Sequence, residues 1–402
     1  MVTKKDRVHQ KRTAIRVTVA AAGLLTGSLA FAQFTSRGFV EAEYNAYPVF
    51  AANKQQTDKE LAYKLQLEAS YKANSALTFA ARGFLRRDSY NDDRDVARFD
   101  ELWVQYATPQ WDIRVGNQLV VWGSVESISP IDIVNPRDYE EDLVEPLKIG
   151  TPAVRLRRRF ENAELSFYWL PFFQPSRFTG PHSFYSISGG LPVIFPDSGR
   201  HDNQWAARYF KNADGFDFGV SFFNGLERNA IFGFNSTRDA RVGRTYRAQR
   251  LALEVTKTVK DLLLKGEFSY RTTKQEGNRR ALLYALGAEY TISSAWKHSD
   301  LTFFTEYLAS SSNVRKLELT QNDLFGAIRW TLNDQYKQQL DVGFFWDLDQ
   351  RQARVYRAEY IASPTENTVA GIRFTSTRDY FPGPRYAERK TGALHVFFRN
   401  NF

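Results

Sequence analysis

The 402-residue chain contains no cysteine and a single methionine. A disulfide framework is thereby excluded, as is any thiolate nucleophile or thiolate metal centre. Histidine is scarce too: five in all, of which His182, His201, His298 and His395 lie beyond residue 32. None stands beside a recognisable nucleophile motif, and no His cluster has metal-ligand spacing. No enzymatic activity, metal or cofactor is therefore expected. Beyond the first 32 residues no run of 18 apolar residues occurs, so no membrane-crossing helix is expected.

The first 32 residues form a unit of their own. Lys4, Lys5, Arg7, Lys11, Arg12 and Arg16 precede the apolar run Val17–Phe31, and Ala30-Phe31-Ala32 supplies small residues for cleavage. This pattern predicts a secretory signal peptide over 1–32 and one mature domain over 33–402. The formal charge of the whole chain is +9. The segment carries six bases and one acid, so the mature part keeps 9 − 5 = +4. Most of the basic excess belongs to the leader, and no basic cluster with a nucleic-acid motif remains.

What is abundant is aromatic residues, 15% of the chain, although mean hydropathy is only −0.46. Apolar residues are diluted one for one by polar ones. In Leu61-Ala-Tyr63-Lys-Leu65-Gln-Leu67-Glu-Ala69-Ser-Tyr71-Lys-Ala73 the two kinds alternate strictly, and after Asn74-Ser75 the alternation resumes through residue 87. A period of two over about ten residues gives a strand with one apolar and one polar face. Such segments recur from residue 38 to the end, including 97–107, 111–122, 152–161 and 163–171. Short turns alternate with long charged connections. The prediction is all-β: a transmembrane antiparallel β-barrel of about 18 strands, with 16 as the alternative, and a polar lumen. The chain ends Leu394-His395-Val396-Phe397-Phe398-Arg399-Asn400-Asn401-Phe402. Here it resembles Gram-negative outer-membrane proteins, whose terminal Phe is read by the barrel-assembly machinery. That resemblance implies a bacterial outer-membrane location, with membrane lipid and lipopolysaccharide as neighbours. A homo-oligomer is compatible with such a barrel.

Strand parity assigns charges to the lumen, and the two signs come out close to balanced. Arg155, Arg157 and Arg159 fall on the lumen face of one strand, about 6.6 Å apart by strand rise. With Arg82, Arg86 and Arg114 they are the candidate basic wall. Two readings stay open: a lattice of ion pairs that stiffens the wall, or a stripe that guides an anionic solute.

The stretch 120–138, VVWGSVESISPIDIVNPRD, fits neither helix nor strand. It is too apolar for an exposed loop and too acidic for a core. A loop folded into the barrel meets both demands, and Pro130 and Pro136 bar a helix. Residues 123–150 are the candidate constriction loop, with Trp122 and Gly123 at its entry. Glu126, Asp132, Asp138, Glu140, Glu141 and Asp142 are expected across the lumen from Arg155, Arg157 and Arg159, making a transverse field. Trp122-Gly123, Asp132 and Asn135-Pro136-Arg137-Asp138 resemble a W-G…D-x-x-N-P-x-D signature of a group of proteobacterial outer-membrane barrels. That group is similar in build to alginate-export channels, which implies an 18-strand barrel with an arginine-rich pore.

The function so predicted is passive passage of small or polymeric hydrophilic solutes, with anionic ones included. The alternatives are a non-conducting or gated barrel serving as exporter component, adhesin or structural protein, and more remotely an outer-membrane hydrolase. A second long loop, Phe172 to Asp202, is rich in Phe, Gly and Pro and is a candidate plug or rim.

Overall fold

Alternation of apolar and polar residues builds strands here, because each face then meets one environment. The computed structural model describes residues 33–48, 56–186, 191, 193–196, 199–228, 230–273, 280–296, 298–311, 321–349, 354–378 and 390–402. The expected signal segment 1–32 lies outside the described residues, as does the connection 350–353.

The strands are β1 (Gln33–Ala46), β2 (Lys59–Lys72), β3 (Leu77–Asp88), β4 (Val96–Ala107), β5 (Trp111–Gln118) and β6 (Thr151–Arg159). Next come β7 (Ala163–Phe172), β8 (His201–Ala213), β9 (Phe216–Leu226), β10 (Arg247–Val259), β11 (Leu262–Thr273) and β12 (Arg280–Trp296). The last are β13 (Ser299–Ser310), β14 (Asn322–Thr331), β15 (Gln339–Asp347), β16 (Arg354–Ala362), β17 (Thr368–Arg378) and β18 (Lys390–Asn401). They form one 18-stranded antiparallel sheet in which each strand pairs with its sequence neighbours. β1 also pairs with β18, from Phe39↔Asn401 to Ala46↔Leu394, which closes the barrel. Gly38 and Phe402 exchange backbone hydrogen bonds of 2.8 and 2.9 Å at that seam. Closure leaves no open edge, the condition for strands in lipid. The fold is a closed antiparallel β-barrel of 18 strands.

Burial is inverted relative to a water-soluble protein. On β2, Tyr63 and Leu67 are 55% and 49% exposed while Lys64 is buried at 6%. On β10, Leu251 and Leu253 are exposed while Arg250 and Glu254 are buried. The outward apolar face meets lipid and the inward face is polar. At one end of the barrel the turns are tight. Asp214 and Gly215 join β8 to β9 with φ of 44° and 77°, the two positive values that a twisted hairpin turn requires. At the other end long loops gather, including a small sheet of 193–194, 231–234 and 241–244.

One strand departs from expectation. β5 stops at Gln118 rather than residue 122, and the chain turns into the lumen at Val120. Gly116 has φ +130° just before this exit, a conformation that only glycine adopts readily.

Lipid-facing and lumen-facing neighbours should respond oppositely to charge. Val342 is 47% exposed on the outer face of β15, and Val342→Arg should lower refolding stability in lipid vesicles by about 2–4 kcal/mol. Asp341→Asn, beside it on the lumen face, breaks a half-exposed pair with Arg329 and should change stability by less than about 1 kcal/mol.

Candidate functional site

Residues 119–150 leave β5, run inside the barrel and return to β6. Their apolar side chains find two lumen patches. Val120, Trp122, Ile131 and Val134 pack with Ala153 (β6), Tyr168 and Leu170 (β7), Ala206 (β8), Phe223 (β9) and Ala252 (β10). Val125, Ile128 and Val144 pack against Ala285 (β12), Leu308 (β13), Phe325 (β14), Phe345 (β15) and Val355 (β16). Trp122 meets Tyr168 edge-on at 6.1 Å between ring centroids. Burial of this surface, at roughly 25 cal/mol per Å², rewards the inward path.

Asn135 fastens the neck. Its Oδ1 accepts from Val120 N at 2.6 Å, and its Nδ2 donates to Gln118 O at 3.0 Å and Ile149 O at 2.9 Å. Ile149 N donates to Pro136 O at 2.8 Å, and Asp132 pairs with Arg137 and Lys148, both at 2.7 Å. Asn135, Pro136 and Asp132 therefore close the loop on itself.

Beyond the neck two buried wall carboxylates hold the chain by its backbone. Glu267 on β11 accepts from Val125 N at 3.0 Å and from Ser124 N and Ser129 Oγ, both at 2.5 Å. Glu306 on β13 accepts from Glu126 N at 2.7 Å, Ser127 N at 3.0 Å and Ser127 Oγ at 2.5 Å. Gly123, at φ +94°, lets the chain pass this close: a Cβ there would stand 2.8 Å from Glu267 Oε1. Glu126 itself pairs with Lys265 of β11 at 3.0 Å.

The second lobe is acidic and takes its cations from the far side. Asp138, fully buried, pairs with Arg98 of β4 at 2.6 Å and with Arg177 at 3.5 Å. Glu141 bonds Lys64 of β2 and Arg86 of β3. Asp142 accepts from Arg357 (β16) and Arg373 (β17), both at 2.8 Å. Burial alone would raise both carboxyls; Lys64 and Arg86 hold Glu141 down at about 2, and Arg357 and Arg373 hold Asp142 at about 2. A further network missed from sequence lies behind them. Arg94, in the turn after β3 and 1% exposed, bonds Glu43 at 2.6 Å, Glu60 at 2.8 Å and Asp88 at 3.0 Å.

Glu140 faces the other long loop, accepting from Gly180 N and from Ser183 Oγ at 2.6 Å. Tyr139 stacks on Phe178 with centroids 5.0 Å apart, and Tyr139 N donates to Arg177 O at 2.8 Å. The two loops thus share a buried seam. Burial pushes Glu140 up to about 7, with Glu60 adding to the rise and Ser183, Gly180 and Arg177 opposing it. Nearby, His182 Nδ1 lies 3.3 and 3.2 Å from Asp92 and Asp93, tying the loop after β3 to the same seam.

The arginine stripe sits elsewhere than expected. Arg155, Arg157 and Arg159 do not face the loop acids; they converge on Asp112 of β5, at 2.6, 2.8 and 2.5 Å. Three adjacent cations need an acid close by, and the neighbouring strand supplies it in register, Asp112↔Arg157. Arg82 pairs with Glu68 at 2.8 Å and Glu101 at 3.2 Å. Arg114 bonds Gln105 at 2.7 Å and lies over the Trp103 ring at 3.7 Å. Of the six wall arginines, Arg86 is the one in contact with the loop.

Between the loop tip and strands β16–β18, β1 and β2 a cavity of about 360 Å³ remains, lined among others by Lys64, Asp142, Arg357, Glu359, Arg373 and Arg399. Phe184 and Tyr185 of the second loop also border it.

Residues 23–307 match the family model described as protein of unknown function (DUF1302). No curated protein matches. Among solved structures, OccK3 (OpdO) of Pseudomonas aeruginosa superposes with a TM-score of 0.55 at 11% identity, over 92% of this chain and 95% of that one. OccK11 (OpdR) of the same bacterium gives 0.52 at 10% identity, over 92% and 96%. These likenesses are of fold.

The seam should loosen as pH rises. A buried carboxyl with a raised value favours the protonated form, so its contribution is whole below about 4.5 and lost as pH climbs through about 7. Amide exchange around residues 177–183 should quicken between pH 5 and 8, and Glu140→Gln should flatten that rise; an equally steep rise in the variant would sink the assignment.

Proposed function

The chain belongs to the DUF1302 family, and we propose from its lumen that it is an outer-membrane channel passing small hydrophilic solutes passively, narrowed by residues 123–150. One observation carries this reading. The loop is held to walls far apart around the barrel, by Glu267 and Glu306 on β11 and β13, Lys64 and Arg86 on β2 and β3, and Arg357 and Arg373 on β16 and β17. A strap so fixed sets the width of the pore, and the cavity of about 360 Å³ beside its tip is the way past it. That size suits a small solute better than a polymer.

Acids and bases border the opening together, so the field there is transverse rather than of one sign. Passage then favours solutes that can exchange hydration for paired polar groups. The leader over 1–32 and Phe402 are the proposed export and assembly signals. A gated barrel is the second reading, favoured by the buried seam of Tyr139, Glu140, Phe178 and Ser183, which would have to part if the second loop were a lid.

Single-channel current of the refolded chain in a planar bilayer tests both. Discrete conductance is expected, severalfold larger when residues 125–145 are deleted or when Glu267 and Glu306 are both changed to Ala. Conductance unchanged by either alteration would reject the constriction. No current from the intact chain, but steady current from the deletion, would favour the gated reading.

A further inference from the structure

The outward face of the barrel is not uniformly apolar. Arg158 on β6, Lys211 on β8 and Lys257 on β10 share the parity of exposed lipid-facing residues such as Leu156, Trp205 and Leu253. The Arg158 guanidinium lies 5.0 Å from the Trp111 ring centroid and 5.1 Å from that of Phe160. Lys257 Nζ lies 5.9 Å from the Phe216 ring, and Lys211 stands opposite Phe218 in register. Among the described residues none of the three bases makes an ion pair or a side-chain hydrogen bond. Each falls within the last three residues of its strand, where the chain reaches a short turn. At the same end of β2, β4, β14 and β16 the corresponding outward positions hold Tyr71, Tyr106, Trp330 and Tyr360. An aromatic girdle is thus replaced by bases over one arc.

Register sets the three on one level. Arg158 faces Leu165, which faces Tyr209, and Lys211 lies two residues beyond Tyr209 toward the turn. Lys211 faces Phe218, which faces Val255, and Lys257 lies two residues beyond Val255 in the same sense. Each step is therefore about 6.6 Å along the strands and about 9.6 Å across them, a slope of about 35° and a spacing of about 12 Å. That slope is the tilt of strands in such barrels, about 35–45°, so the bases line up parallel to the membrane plane. A charge on the lipid face is tolerable only where it reaches the polar boundary, and aromatic rings beside a cation favour that boundary further.

We infer that Arg158, Lys211 and Lys257 form a docking arc for anionic phospholipid, each base taking a headgroup phosphate while Trp111, Phe160 and Phe216 flank the headgroups. Charge complementarity identifies the occupant: three cations at headgroup level have no protein counter-charge, and phosphate supplies one. Short turns in barrels of this build face the periplasm, which is the phospholipid leaflet, so the arc meets phospholipid rather than lipopolysaccharide. The inference needs the barrel alone and not the channel reading.

Tryptophan fluorescence of the refolded full chain tests it, in phosphatidylcholine vesicles that hold either brominated phosphatidylglycerol or brominated phosphatidylcholine. Both leaflets carry the same mixture, so the direction of insertion does not matter. Brominated phosphatidylglycerol should quench as though enriched severalfold beside the barrel, and high salt should weaken that preference. Changing Arg158, Lys211 and Lys257 together to Gln should bring the two lipids to equal quenching. Where the triple variant does not insert, as judged by heat-modifiable gel mobility, Arg158→Gln and Lys257→Gln singly should each remove part of the preference. Equal quenching by both lipids in the unaltered chain would overturn the arc. So would a preference that these variants leave intact, since other bases would then carry it.

Discussion

Everything inside this barrel depends on pairing charge where water is thin. The lipid face takes the large apolar side chains, so the inward face is left with Lys, Arg, Asp and Glu on neighbouring strands. In such surroundings an unpaired ion is expensive and a paired one roughly breaks even. The lumen therefore resolves into local clusters: Asp112 among three arginines, Arg94 among Glu43, Glu60 and Asp88, and Lys64 among Glu41, Glu43 and Glu141. The inward loop is an extension of this pairing, since its acids add partners to wall bases.

The loop's odd composition follows from that. Its apolar residues cover the two places where the lumen wall is itself apolar, around Ala206 and around Leu308. Its acids join bases that wall acids already touch, Lys64 beside Glu41 and Glu43 and Arg373 beside Glu359. Where the wall offers carboxylates instead, as at Glu267 and Glu306, the loop turns backbone N–H groups and serine hydroxyls toward them. Each wall group thus meets a complementary part of one short segment, and the segment in turn needs a glycine at 123 and the Asn135 clasp to take up that path.

Much of this was legible in the chain. Strands and their inward faces follow from the period of two, and apart from the early end of β5 at Gln118 the described strands appear near where alternation places them. The inward fold of 120–138 was legible because no other environment suits such a mixture. The pairing was not. Parity tells which charges enter the lumen, whereas their partners depend on register and on where a loop lands. Arg155, Arg157 and Arg159 were assigned to the loop acids, yet Asp112 on the adjacent strand is nearer. Glu267 sits opposite Glu254 in register and Glu306 opposite Gly287. A lumen acid with no base across from it is the signal that would have marked both as anchors, once the register is known. Arg94 escaped because the run around it, rich in aspartate, reads as a solvated turn; it is buried among wall acids, with Nε donating to Glu140 O of the inward loop at 3.1 Å.

A lattice of this kind changes what selects a solute. Summing lumen charges predicts little, because a salt-bridged arginine presents a dipole that falls away within a few ångströms, and its partner cancels the rest. Selectivity passes to the few groups whose charge is uncompensated or whose partner is neutral. Arg114, held by Gln105 on Trp103, is such a group. It lies on β5 close to the short turn at 108–110. On the channel reading, paired charges at the waist would let a solute pass without being trapped, the balance that a passive pore requires.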